Sequence, residues 1–228
     1  PYRDILKLLG KEDLQSGGGA IFRAAPVVGL GAILVAAALT PMGMKPPLGM
    51  AGDTIVWIYV MSIVAVATML GAFASGNPFA YAGAGREMMM VLSVEPIAVI
   101  ALLTGAVKAQ SLLMGSMMNW QLTHGPSPSM IIAGVAFFLA MQANVGRLPF
   151  DIVEAEQEIV GGPSIEYSGP RLALCKLTFY ARQVVFSFVL VSIFVPWPAV
   201  HLAGLAVVIG LVKVLVVLVL VSVIDSVM

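Results

Sequence analysis

Five of the twelve carboxylates in this chain lie in one short stretch, "GRLPFDIVEAEQEIVGGPSIEYSG" at residues 146–169: Asp151, Glu154, Glu156, Glu158 and Glu166. Acids gathered this closely hold protons jointly, and partial burial raises their affinity for them. A short helix over residues 151–160 would put Glu154 and Glu158 on one face, four residues apart, with Glu156 pointing elsewhere. A solvated acidic surface is the ordinary alternative. Phe150, Ile152, Val153, Ile159 and Val160 are interleaved with the acids, however, and require that part of the segment be buried.

Further ionisable residues stand inside apolar stretches: Glu87 and Glu95, Lys176 and Arg182, and Lys213. Charges within a bilayer are costly and mark ion paths, counter-charges or cavities. On one helix Glu87 and Glu95 are about 80° apart around the axis and about 12 Å apart along it, so both can line one cavity. Pro96 removes the helical donor from the Leu92 carbonyl, which favours a kink beside Glu95. Desolvated carboxylates tuned by nearby cations are the parts of a proton relay. A buried ion pair that only orients helices is the structural alternative, and Lys176 lies near enough to a helix end to reach the interface by its stem. Gln142 and Asn144, just before the acidic stretch, suit either ordered water or an interhelical hydrogen bond.

The elements that must position these groups follow from composition. The 228 residues are 60% hydrophobic and 11% charged, with a mean hydropathy of +1.00 and no net charge. A soluble domain carries about a quarter charged residues, so the chain reads as a polytopic, all-α membrane helix bundle. Six segments reach the length needed to span, at about 24–41, 54–74, 88–107, 129–146, 171–195 and 201–224. They form a single integral membrane domain over 1–228, with loops at about 1–23, 75–87 and 147–170 on one side. Those loops carry Arg3, Lys7, Lys11, Arg23, Arg86, Arg147 and Arg171, against Lys45 and Lys108 on the other side. Lysine and arginine collect on the cytoplasmic side; the acidic loop of a multi-pass protein of the cell membrane is therefore expected to face the cytoplasm. The amphipathic start, with Ile5, Leu6, Leu8 and Leu9 opposed to Arg3, Lys7 and Lys11, suits an interfacial helix or a docking surface for a soluble partner.

Neutral overall charge gives no indication of nucleic acid. The single cysteine, Cys175, excludes an internal disulfide and any centre built on several thiolates, and His124 and His201 are too few and scattered for haem or metal ligation. Catalytic, cofactor-binding and metal-ligating residues are therefore not expected in this chain, and electron chemistry belongs to partner subunits.

The acidic stretch, together with "KLLGKED", "GAGRE" and Glu95 in the same order, resembles the subunit 1 family of respiratory complex I. "PYRDILKLLGKE", "GNPFAYAGAGREMMM", "EAEQEIVGGPSIEYSGPRLAL" and "YARQVVFSFVLVSIFVPW" look most like the membrane subunit of energy-converting group 4 nickel–iron hydrogenases, of the formate hydrogenlyase and membrane-bound hydrogenase types. Ferredoxin-dependent sulfane reductases share much of the pattern. The resemblance implies eight spanning helices, the first and last lying outside this sequence. It implies a connecting subunit in an oxidoreductase complex, with the nickel–iron (NiFe) site and iron–sulfur clusters on partners. Those partners would be the hydrogenase large and small subunits, an iron–sulfur subunit and antiporter-like membrane subunits. Electrons would come from ferredoxin or formate.

By the same resemblance Glu87, Glu95, Asp151, Glu154, Glu156, Glu158 and Glu166 form an ion-coupling path for protons or sodium. Arg86, Arg147, Lys176, Arg182 and Lys213 supply counter-charge, Lys213 toward the onward path. A quinone-site subunit would need a cavity open to lipid between the first loop and the acidic loop. A stand-alone secondary transporter would show internal repeats, and none is visible.

Overall fold

The computed structural model describes residues 2–14, 19–42, 46–49, 53–153, 156–198 and 203–227. Among these the helices are α1 (Tyr2–Leu9), α2 (Ala20–Leu39), α3 (Asp53–Ser75), α4 (Pro78–Ala109), α5 (Met114–His124), α6 (Pro128–Val145), α7 (Glu156–Ile159), α8 (Gly169–Phe194) and α9 (Ala203–Val227), with a 3-10 turn at Gly162–Ser164. Six of them, α2, α3, α4, α6, α8 and α9, are long and apolar enough to cross a membrane. The expected all-helical membrane bundle is what forms.

Between helices in lipid there is little hydrophobic gain, and association rests on close van der Waals packing and interhelical hydrogen bonds. Small residues make that approach possible. On α2, Gly29 faces Ala67 of α3 and Thr178 of α8, where an added Cβ would meet their side chains at 3.9 and 3.7 Å. Helix α8 is the hub: it packs against α1, α2, α5, α6 and α9, and every residue from Val185 to Phe194 is buried. Around it Phe186 meets Trp57 edge-on at 5.2 Å, and Phe137 lies 5.6 Å from Phe194. The Trp57 indole donates to the Thr40 hydroxyl at 3.2 Å, which meets the buried N–H that a tryptophan otherwise leaves unsatisfied. Helix α9, by contrast, exposes most of its apolar surface and packs on α8, where Val214 joins Phe188 and Val191.

Two parts of the chain differ from expectation. Helix α4 begins at Pro78, so most of the stretch expected as a loop at 75–87 is helical. Asn77 explains this: its side chain accepts from the Phe79 N–H at 2.8 Å, and Pro78 occupies the first turn. The helix continues through Pro96 for 32 residues, about 48 Å. Of the anticipated helix over 151–160, the described residues show α7 at Glu156–Ile159, while Asp151–Val153 turns; Ile152 N–H donates to the Phe150 carbonyl at 2.8 Å.

All three polar segments gather at one end of the bundle, hereafter the loop end. The Leu14 N–H donates to Ser168 Oγ at 2.9 Å, Ser168 Oγ donates back to the Leu14 carbonyl at 3.0 Å, and Arg171 meets Asp13 at 3.0 Å. Gly169, at φ +50°, faces the Glu12 carbonyl, which a Cβ would meet at 2.6 Å. Tyr167 lies flat on Phe22, ring centroids 4.3 Å apart, and donates to the Phe22 carbonyl at 3.1 Å. Burial pushes the Tyr167 hydroxyl well above its ordinary pKa of 10, Cys175 adding to the rise and Arg171 opposing it. The buried phenol therefore strengthens the fold below pH 10 and loses that contribution as the pH climbs and the unfolded tyrosine ionises first. Tyr167→Phe should cost about 1 kcal/mol at neutral pH. In denaturation of the detergent-solubilised protein that difference should shrink above pH 10; a constant difference up to pH 11 would show that the hydroxyl is not held neutral.

Candidate functional site

The charged groups are brought together where α4, α6, α8 and α9 meet under the acidic loop. Glu87 on α4 and Arg182 on α8 are both buried, with Arg182 Nη1 3.3 Å from Glu87 Oε1. The guanidinium's second nitrogen, Nη2, donates to Asn144 Oδ1 of α6 at 3.2 Å. Adjacent on α8, Gln183 offers Oε1 to Arg147 Nη2 at 3.5 Å. Arg147 in turn reaches Asp225 of α9, Nη1 to Oδ2 at 3.2 Å, while the Leu148 N–H donates to Asp225 Oδ1 at 3.2 Å. Its guanidinium also sits 5.5 Å from the centre of the Phe179 ring. The succession Glu87, Arg182, Asn144, then Gln183, Arg147, Asp225 thus crosses the bundle as a polar layer.

Such a layer is costly in an apolar medium unless its members satisfy one another. Much of it is satisfied, yet Arg182 Nε, Arg147 Nε and Gln142 Nε2 are buried with no hydrogen-bond partner among the described residues. Donors of this kind are ordinarily met by ordered water. The carboxylates of Glu87 and Asp225 are the groups in this layer able to take up or release a proton, whereas its guanidinium and amide donors keep theirs.

The remaining groups flank it. Glu95, half-buried deeper on α4, accepts from Ser62 of α3 at 2.8 Å. Above the layer, Arg86 Nη1 pairs with Glu158 at 2.7 Å and donates to the Ile152 carbonyl at 3.1 Å. Glu166 accepts from the Asn77 amide at 2.5 Å, tying the loop's end to the cap of α4. Asp151 is half-buried in the turn before α7. Glu156 begins α7, and Glu154 lies outside the described residues. Lys176 is exposed on α8 and joins no pair among the described residues. Lys213 sits toward the other end, where Nζ donates to the Val195 carbonyl at 2.9 Å. That contact caps the negative end of α8 and leaves Lys213 away from the acid layer.

The loop's seat depends on two glycines. A Cβ at Gly71 of α3 would run into the Tyr167 hydroxyl and lie 2.9 Å from the Ala25 Cβ. One at Gly83 of α4 would lie 2.6–2.9 Å from Pro163 and Gly162.

This arrangement of helices and acids has relatives. The family described as NADH dehydrogenase matches the chain across residues 1–228. The chain belongs to this family, that of complex I subunit 1. Among its curated members, formate hydrogenlyase subunit 4 of Escherichia coli (strain K12) is 34% identical over 86% of the chain, and hydrogenase-4 component C of the same strain is 33% identical over 99%. The chain spans 65% and 74% of their lengths, respectively. An NADH-quinone oxidoreductase subunit of Solibacter usitatus (strain Ellin6076) is 30% identical over 88% of the chain, and the match covers 57% of that protein. Among solved structures, a chain of the membrane-bound sulfane sulfur reductase, an archaeal respiratory membrane complex, superposes with a TM-score of 0.87 at 26% identity. The superposition takes in the whole of this chain and 77% of that one.

In this family member the sequence motifs point to Glu87, Arg182 and Arg147, whereas most of the partners completing the layer carry no motif. Asp225 is the largest omission. It stands near the end of an apolar helix in "SVIDSVM", and an acid so placed is itself the signal of an intramembrane or interfacial partner. Ser62, Asn77 and Gln183 are uncharged and give no such signal. Asn144 stands out in the sequence only as a neighbour of Gln142.

Proposed function

We propose that this chain, a membrane subunit of the complex I-like and group 4 hydrogenase-type class, is the connecting subunit of its complex, coupling electron transfer in a docked redox arm to translocation of protons or sodium. The buried Glu87–Arg182 pair, lying beneath the acidic loop and continued to α9 through Arg147 and Asp225, carries this reading. A redox event at the loop needs only to alter the charge or position of a group such as Glu158 or Glu166 to disturb the layer below. One charge crossing 100 mV involves about 2.3 kcal/mol, the equivalent of between one and two pKa units, so the scale of the two events matches.

The likeness to formate hydrogenlyase subunit 4 and hydrogenase-4 component C favours a hydrogen-evolving complex, with the nickel–iron site and iron–sulfur clusters on partner subunits at the cytoplasmic face. Likeness to the sulfane sulfur reductase supports a second reading, in which sulfur chemistry occupies the same scaffold. Pulling down the native complex through this chain and assaying metal and activity separates them. Nickel with hydrogen evolution from reduced ferredoxin or formate is the expected result. Iron without nickel, and no hydrogen, would discard the hydrogenase reading in favour of sulfur or quinone reduction.

A further inference from the structure

A groove of about 430 Å³ runs along the outer side of α4 at the loop end, lined by Gly85, Arg86, Met89, Met90, Ser93 and Ile152 among others. Its long wall is one helical face, and its other wall is Ile152 of the acidic loop. Depth sets its chemistry. At 32 residues α4 is about 48 Å long, well beyond the roughly 30 Å of bilayer hydrocarbon. Arg86, about 12 Å from the start of the helix, falls near the edge of a hydrocarbon layer centred on α4, where its stem reaches headgroup level, and Ser93 lies about 10 Å farther along the axis toward the acyl chains. The groove therefore passes from a polar rim into apolar surroundings: Met89 is 71% exposed and Ile152 45%. At the rim stands an ion pair of half-buried Arg86 with Glu158, whose carboxylate side chain is 64% exposed.

The geometry points to a binding site for one zwitterionic phospholipid bearing a primary amine, of the phosphatidylethanolamine type. Arg86 spends Nη1 on Glu158 and the Ile152 carbonyl; among the described residues Nη2 and Nε meet no other partner and can hydrogen-bond a phosphate. Glu158 meets Arg86 through Oε2 and keeps Oε1 to accept from an ammonium. The pair is neutral overall but polar along its length. It matches a headgroup that is likewise neutral with separated charges, better than an anionic headgroup, which would meet Glu158 unfavourably. Choline cannot replace ethanolamine here, since it has no N–H to donate. One acyl chain fits along Met89, Met90 and Ile152, where flexible thioethers adapt to an irregular chain. Such a lipid would bridge α4 and the acidic loop, since both walls and both charges belong to those two segments.

The test is native mass spectrometry of the intact complex released from nanodiscs of equimolar phosphatidylethanolamine and phosphatidylglycerol, and separately of phosphatidylcholine and phosphatidylglycerol. The wild type should retain one phosphatidylethanolamine and show no corresponding retained phosphatidylcholine. Met89→Trp, which fills the groove from an exposed position and leaves the ion pair intact, should lower that occupancy about fivefold, as should Arg86→Gln. Glu158→Gln should turn the preference toward phosphatidylglycerol. Equal retention of all three headgroups, or occupancy untouched by Met89→Trp, would overturn the assignment.

Discussion

Arg182→Met should destabilise the solubilised protein by about 3–5 kcal/mol, since it strands Glu87 in a buried position with no cation beside it. Both side chains are nearly sealed from solvent, 10% and 11% exposed, and Arg182 also supplies the donor to Asn144. Glu87→Gln keeps the shape and an oxygen for Arg182 but leaves the guanidinium buried without a counter-charge, which arginine cannot shed by deprotonation, so it too should destabilise by about 3 kcal/mol. The double change Glu87→Leu with Arg182→Met should recover most of the stability, as buried pairs exchanged together for apolar residues commonly do. Ion translocation gives the decisive comparison. If the pair belongs to the coupling layer, the double variant should be stable, assembled and unable to move ions in proteoliposomes. Should it translocate normally, Glu87 and Arg182 are a helix lock and the coupling role must lie elsewhere.

Gly83→Ala should unseat the acidic loop. Its Cβ would come within 2.8 Å of Gly162 Cα and 2.9 Å of Pro163 N, which are backbone atoms and cannot swing aside as the end of a side chain can. Overpacking of this kind costs about 1–3 kcal/mol. It falls on the contact between α4 and the turn at Gly162–Ser164, so the loop rather than the bundle should yield. Limited proteolysis should then cut between residues 146 and 169 at a protease concentration that leaves the wild type intact. Gly85→Ala is the control: two residues along the same helix, with no atom within 4 Å of the added methyl. Matching proteolysis of the two variants would show that the loop is not held through Gly83. Loss of ion translocation in Gly83→Ala, with the bundle still folded, would tie loop position to coupling.

The bundle is legible in the sequence because its cause is local. Spans of α2, α3, α6, α8 and α9 follow from runs of apolar residues and agree with the structure within a few positions at each end. Helix α4 is longer than its apolar run because "GNPFAYAGAG", which looks like turn chemistry, is helical. Its glycines instead serve contact: Gly83 admits Pro163, and the Asn77–Pro78 pair starts a helix rather than breaking one. Helix α5 leaves no comparable trace, since "MGSMMNWQLTH" is neither apolar enough to span nor strongly amphipathic.

By itself the sequence determined that this chain lives in a membrane, that five of its acids collect in one loop, and that Glu95, Arg182 and Lys213 stand inside spans, because hydropathy and charge are properties of neighbours along the chain. Which charge meets which was decided only by the tertiary structure. Arg147, expected as a counter-charge to the acidic path, meets Asp225 from α9, and Lys213, expected among the same counter-charges, caps the end of α8. Partners on different helices are set by the rotation and depth of each helix in the bundle. Those follow from close contacts of glycines and alanines distributed over the whole chain, and no local pattern of residues records them.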